Sequence, residues 1–132
     1  MSYLNHSYND SPTIWGQVAE AQTAPAMLAF AFDENGKFIL PAKEGDPVVG
    51  ICLADADGVE KDGGISVQYK NGCLWLAGEA VKRGDYLKAD TTGKAKKATD
   101  GNILAIALED AEADKPCPVL IVHMYIAPSE AA

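Results

Sequence analysis

The sequence predicts an all-β protein, and three observations carry the prediction. Apolar runs last five to nine residues, Gly and Pro recur between them, and no stretch of a dozen residues keeps the i, i+3, i+4, i+7 spacing of an amphipathic helix. At 132 residues the chain has room for one modest core. The expected architecture is therefore a small single-domain β-barrel or β-sandwich, jelly-roll-like, with an arm over residues 1–12, one β domain over 13–127 and a flexible tail over 128–132.

The elements follow in order. MSYLNHSYNDSP is polar, carries Tyr3, His6 and Tyr8, and cannot fold alone; it either frays or becomes ordered by laying its tyrosines on a neighbour. A first strand is expected from Thr13 to Ala19, with Trp15 beside the arm. QVAEAQTAPAM is the best helix candidate, yet Pro25 breaks it and it lacks an apolar face. Strands then read from Met27 to Phe32, Lys37 to Leu40 and Val48 to Leu53. Ile65 to Lys70 and Cys73 to Ala77 flank Asn71-Gly72, the sequence of a type I′ hairpin turn. That register puts Val67, Tyr69, Leu74 and Leu76 on a core face, and Gln68, Lys70, Cys73 and Trp75 on the other, which assigns Trp75 to a contact surface or a second layer. Tyr86 to Ala89, Ile103 to Leu108 and Val119 to Ile126 complete the set, with Lys94, Lys96 and Lys97 on a solvated edge strand.

The chain also repeats itself. VVGICLADADG at 48–58 matches ILAIALEDAEA at 103–113 position by position, an offset of 55 residues from Val48 to Ile103. Upstream, GKFILPAKEGD resembles GKAKKATDGN; downstream, ISVQY at 65–69 resembles IVHMY at 121–125. Two copies, over about 36–70 and 93–125, each offer roughly three strands, too few to bury a core alone. The expectation is internal pseudo-symmetry around one core.

Composition narrows the function. A net charge of -8 argues against nucleic-acid binding, which needs clustered Lys and Arg. The longest apolar runs are too short for a bilayer, where about 20 residues are needed. No basic segment followed by an apolar one opens the chain, so synthesis in the cytosol is expected. Cys52, Cys73 and Cys117 are odd in number, far apart and within apolar segments, which reads as buried thiols.

Chemical motifs are sparse. Asp55, Asp57, Glu60 and Asp62 form an acidic turn, but its glycine comes two residues too early for an EF-hand loop, so a solvated turn is expected. Arg83-Gly84-Asp85 shares its Gly-Asp with Gly45-Asp46 and reads as the same turn chemistry. His123 stands in the last strand with no carboxylate or nucleophile tied to it. No phosphate-binding loop, dinucleotide fingerprint, nucleophile elbow or zinc-protease motif occurs. The expectation is a non-enzymatic protein without cofactor or metal.

The residues that remain carry a resemblance. Gly45, Asp46, Val48, Gly50 and Ile51, then Val81, Gly84, Asp85, Leu87, Asp90, Gly93 and Lys94, then Ile103 to Ala111, follow a turn-and-strand pattern similar to the small capsid decoration (cement) proteins of tailed bacteriophages, over about residues 36–125. Ala105 stands where that pattern has glycine, and residues 1–25 carry no part of it. The resemblance implies a structural protein on the outside of the mature head that bridges neighbouring major capsid protein subunits, itself a homo-oligomer, dimer or trimer, made in the host cytoplasm and resident on the virion. Its contacts would be Tyr3, Tyr8, Trp15 and Trp75. A carbohydrate- or receptor-binding β-module on the virion surface is the alternative, and it requires Trp15 and Trp75 together on one exposed platform.

Overall fold

The computed structural model describes residues 11–129. Ten strands run in order: β1 (Thr13–Gln17), β2 (Ala29–Phe32), β3 (Phe38–Ile39), β4 (Gly50–Cys52), β5 (Gly64–Gln68), β6 (Asn71–Leu76), β7 (Tyr86–Ala89), β8 (Ala95–Lys97), β9 (Gly101–Ala107) and β10 (Pro116–Ile126). They form two antiparallel five-stranded sheets, β1-β5-β4-β2-β3 and β6-β10-β9-β7-β8, so the all-β expectation holds in its sandwich form.

The two strand orders are the same order shifted by five, which makes each sheet one copy of the internal repeat. The duplication is longer than the sequence match, because β1 and β2 have counterparts in β6 and β7. Registers agree pair by pair: Ala29 faces Ile51 as Tyr86 faces Ile106, and Cys52 faces Val67 as Ala107 faces Val119. This register corrects one alignment. The counterpart of ISVQY is CPVLI at 117–121, not IVHMY, because β10 runs on past the repeat through a bulge between Ile121 and Met124.

One turn repeats along with the strands. Asp33 Oδ1 accepts the N–H groups of Asn35 and Lys37, and Asp90 Oδ1 accepts those of Thr92 and Lys94; each loop then turns through a glycine, Gly36 or Gly93, at positive φ. Gly45-Asp46, between β3 and β4, and Gly84-Asp85, between β6 and β7, share a turn type without being counterparts in the repeat. Both glycines have positive φ, and the Asp46 and Asp85 carboxylates accept the N–H of Lys43 and Lys82, three residues back. The Arg-Gly-Asp sequence is thus a structural turn.

Each sheet curls around its own core. Val18, just after β1, makes a single parallel bridge to Phe38 on the opposite edge, and Ala77 does the same with Ala95. One bridge is not a ladder, so the sheets curve without closing into barrels. The concave side of the first sheet holds Val18, Phe30, Phe38, Cys52, Ile65 and Val67. That of the second holds Trp75, Leu87, Ala95, Ala105, Cys117 and Val119, and this cluster also contains Ala29 and Ile51, which project from the convex side of the first sheet. The repeats therefore nest, convex into concave, with Ala29 N–H donating to Gly93 O at 2.8 Å and Leu76 N–H to Met27 O at 3.0 Å across the joint.

The expected hairpin at Asn71-Gly72 does not form. β5 pairs with β1 and β4, β6 pairs with β10, and the chain crosses between sheets through residues 69–71. Asn71 takes positive φ but Gly72 does not, so the type I′ geometry is absent. The Gln68 side-chain amide instead ties down the crossing by donating to Lys70 O and Gly72 O, each at 2.8 Å.

Losing the hairpin reverses the faces of β6. Leu74 becomes exposed, while Trp75 turns into the core with no exposure at all and donates its indole N–H to Gly93 O at 2.8 Å. Trp75 is therefore a core residue, not a contact residue.

Candidate contact surface

Two exposed apolar regions stand out on an otherwise acidic chain. The first surrounds β1. Tyr69 holds the start of this strand: its N–H donates to Pro12 O at 2.8 Å and its hydroxyl to Ser11 O at 3.0 Å. Trp15, next to Ser66 in the β1–β5 ladder, lies on the convex side of the first sheet and is 69% exposed. Its indole rests on Gly64, where a Cβ would collide with the ring, so the absence of a side chain there lets the indole lie flat along the sheet. Tyr3 and Tyr8 lie outside the described residues.

The second region is the convex face of the second sheet. Tyr86, Ile106 and Leu120 lie in one row across β7, β9 and β10, and Leu108, Pro118 and Leu74 form the next row. Tyr86 is 40% exposed and Leu120 42%, with Leu74 and Leu108 similar. Such a face is normally polar when it meets water. Its counterpart on the first sheet, Ala29, Ile51 and Gln68, is buried in the joint between the repeats. Sequence reasoning missed this surface, although a signal was present. In PCPVLIV and ILAIAL neither parity of the strand is polar, as expected when both faces of a strand find a covering layer.

The remaining candidates resolve into structural roles. Lys37 Nζ donates to Asp62 at 2.6 Å and Lys94 Nζ to Asp114 at 2.8 Å, a second feature made once per repeat. Hydrogen bonding to these ammonium groups holds both carboxylates below the usual aspartate range. Lys88 and Lys96 converge on Glu44 at 3.1 and 3.3 Å, which lowers that carboxyl as well, chiefly through the bond from Lys88. The basic spot on the edge strand is thus largely neutralised by acidic partners. Cys52 and Cys117 are buried and Cys73 half-buried, with burial pushing the Cys52 and Cys73 thiols up to about 11. His123 sits in the β10 bulge at positive φ, with its Nε2 at 2.9 Å from Tyr69 O. With Trp75 buried and Trp15 exposed, the paired tryptophan platform that a sugar-binding module needs is not formed.

Among solved structures the fold is similar to the N base of the head fibre gp8.5 of bacteriophage phi29, with a TM-score of 0.65 over 88% of this chain and 98% of that one. The two are 18% identical, so the likeness is one of fold. No protein-family model matches the sequence, and neither does any curated protein.

Proposed function

We propose that this chain is a non-enzymatic structural protein of a tailed-phage head, attached to the outer surface of the mature shell and stabilising it by bridging major capsid protein subunits. The observation that carries the reading is the fold it shares with a head fibre base over 88% of its length. The turn-and-strand pattern at Gly45 to Ile51, Val81 to Lys94 and Ile103 to Ala111 supports it independently. A shell under outward pressure from packaged DNA gains from many small clamps, each burying a modest interface, because bound copies stabilise the assembled state by mass action and multivalency. A net charge of -8 suits such a site, since it keeps the protein off the packaged DNA and confines binding to specific patches.

The shell-facing region in this reading is the β1 edge, with Trp15 as an aromatic anchor and Tyr3 and Tyr8 extending it; rigid aromatic rings give large contact area at low entropic cost. The bound protein is a homo-oligomer, a dimer or trimer. Co-sedimentation of the purified chain with expanded empty heads tests the proposal. Saturable binding at fixed stoichiometry, with heads that resist a higher temperature, is the expected result. Absence of binding overturns it.

A further inference from the structure

The two repeats contact one another in a way that is not used up inside one chain. The convex face of the first sheet, Ala29 and Ile51, closes the concave side of the second. By the register of the strands, Tyr86 and Ile106 are the same two positions one repeat later, and Leu120 follows Gln68. Three positions buried in the first copy are thus repeated in the second, are larger or more apolar there at two of the three, and face outward.

The matching receptor is present at the other end of the chain. On the concave side of the second sheet Ala89 is 1% exposed, covered where the first repeat docks. Its counterpart in the first sheet is Phe32, which is 49% exposed and stacks on Phe38 with ring centroids 5.0 Å apart. One end of the molecule presents an exposed convex face, and the other a concave mouth where Phe32 is exposed over the buried Phe38 ring.

We infer that the convex face of the second sheet, centred on Tyr86, Ile106 and Leu120, docks head-to-tail on the mouth at Phe32 of a second copy of this chain. The contact repeats between chains the nesting that joins the two halves within one. A surface used this way is heterologous, the type that closes into a ring when the rotation permits. The inference deepens the homo-oligomer part of the function proposed above, because it assigns the surface. It is measured on isolated protein, so its failure and the failure of head binding are separate results.

The experiment is sedimentation equilibrium on the full chain across micromolar concentrations, with the variants Leu120→Glu and Phe32→Asp and an equimolar mixture of the two. Wild type is expected above monomer mass, and each variant at monomer mass with an unchanged strand spectrum by circular dichroism. The mixture is expected to recover a dimer, since one intact convex face and one intact mouth remain between the two chains. Ile106→Lys serves as a second convex-face variant if Leu120→Glu does not fold. A monomeric wild type overturns the inference, as does a Phe32→Asp variant that assembles like wild type. A monomeric protein whose convex-face variants lose head binding would instead give that face to the shell.

Discussion

The indole of Trp75 and the carbonyl of Gly93 are joined by a fully buried hydrogen bond of 2.8 Å that links the first strand of the second repeat to its glycine turn. The same carbonyl accepts the N–H of Ala29 from the first repeat, so one oxygen ties three segments together. Replacing Trp75 with Ala should cost about 3–5 kcal/mol of unfolding free energy, the range for deleting a large buried aromatic, measured by urea titration. Trp75→Phe, which keeps most of the volume but loses the donor, should cost less, about 1–2 kcal/mol.

The two tryptophans should also separate spectroscopically. Emission from a Trp15→Phe variant, which reports Trp75 alone, should be blue-shifted and resist acrylamide. A Trp75→Phe variant, which reports the 69%-exposed Trp15, should be red-shifted and readily quenched. Equal quenching of both would contradict the reversed face of β6.

The repeats exchange a large residue for a small one at matched positions. Phe38 packs over Gly16 in the first copy, whereas Trp75 and Ala95 share one core cluster in the second; Gly16 corresponds to Trp75 and Phe38 to Ala95. A Cβ on Gly16 would approach the Phe38 ring to 2.6 Å. Gly16→Trp and Phe38→Ala should therefore each destabilise, and the double variant should lose less than the sum, with a coupling of about 1–3 kcal/mol in a denaturation cycle. Additive losses would show that the two sites are not filled by interchangeable side chains.

Acid should weaken the fold through the repeated ion pairs. Asp62 and Asp114 have carboxyls held below their unfolded value by Lys37 and Lys94, so their contribution is present above the unfolded value and disappears as pH falls through the folded one. The melting temperature should drop on acidification below about pH 4. Asp62→Asn and Asp114→Asn should flatten that slope, and added salt should shrink the difference, because both pairs are exposed to solvent.

Burial makes the thiols slow to react. With Cys52 and Cys73 pushed up to about 11, little thiolate exists at pH 8, and Cys117 is raised by burial too. A disulfide-exchange reagent should label the native protein slowly and all three cysteines promptly in denaturant. Fast native labelling would show that the segments over these residues open readily.

Removing residues 1–10 should weaken attachment to heads while leaving the thermal transition of the β core in place. The deletion stops before Ser11 because Ser11 and Pro12 carbonyls anchor Tyr69. Unchanged occupancy on heads would place attachment elsewhere than the arm.

Much of the fold was legible in the sequence because strand patterns and turn residues repeat. The apolar runs VVGICL and ILAIAL marked β4 and β9, and the Gly-Lys turns marked matching points within the two copies. Asn71-Gly72 misled for a physical reason. A hairpin turn and a sheet-to-sheet crossing both accept Asn-Gly, and here the crossing is held by Gln68, bonded to Lys70 O and Gly72 O, with Gly72 outside the positive-φ region. The error propagated to Trp75 because shifting a strand to a new partner flips all of its side chains together. The convex face escaped notice because exposure depends on what covers a strand, and the covering layer for β2 and β4 lies in the other repeat.

The nesting of the repeats bears on how the chain is made. The Ala29–Ile51 face that lids the second core leaves the ribosome before the core it covers. The amino-terminal half is thus made first, and it would serve as the template on which the later strands condense. An excised carboxy-terminal half should be the piece that fails to hold its shape.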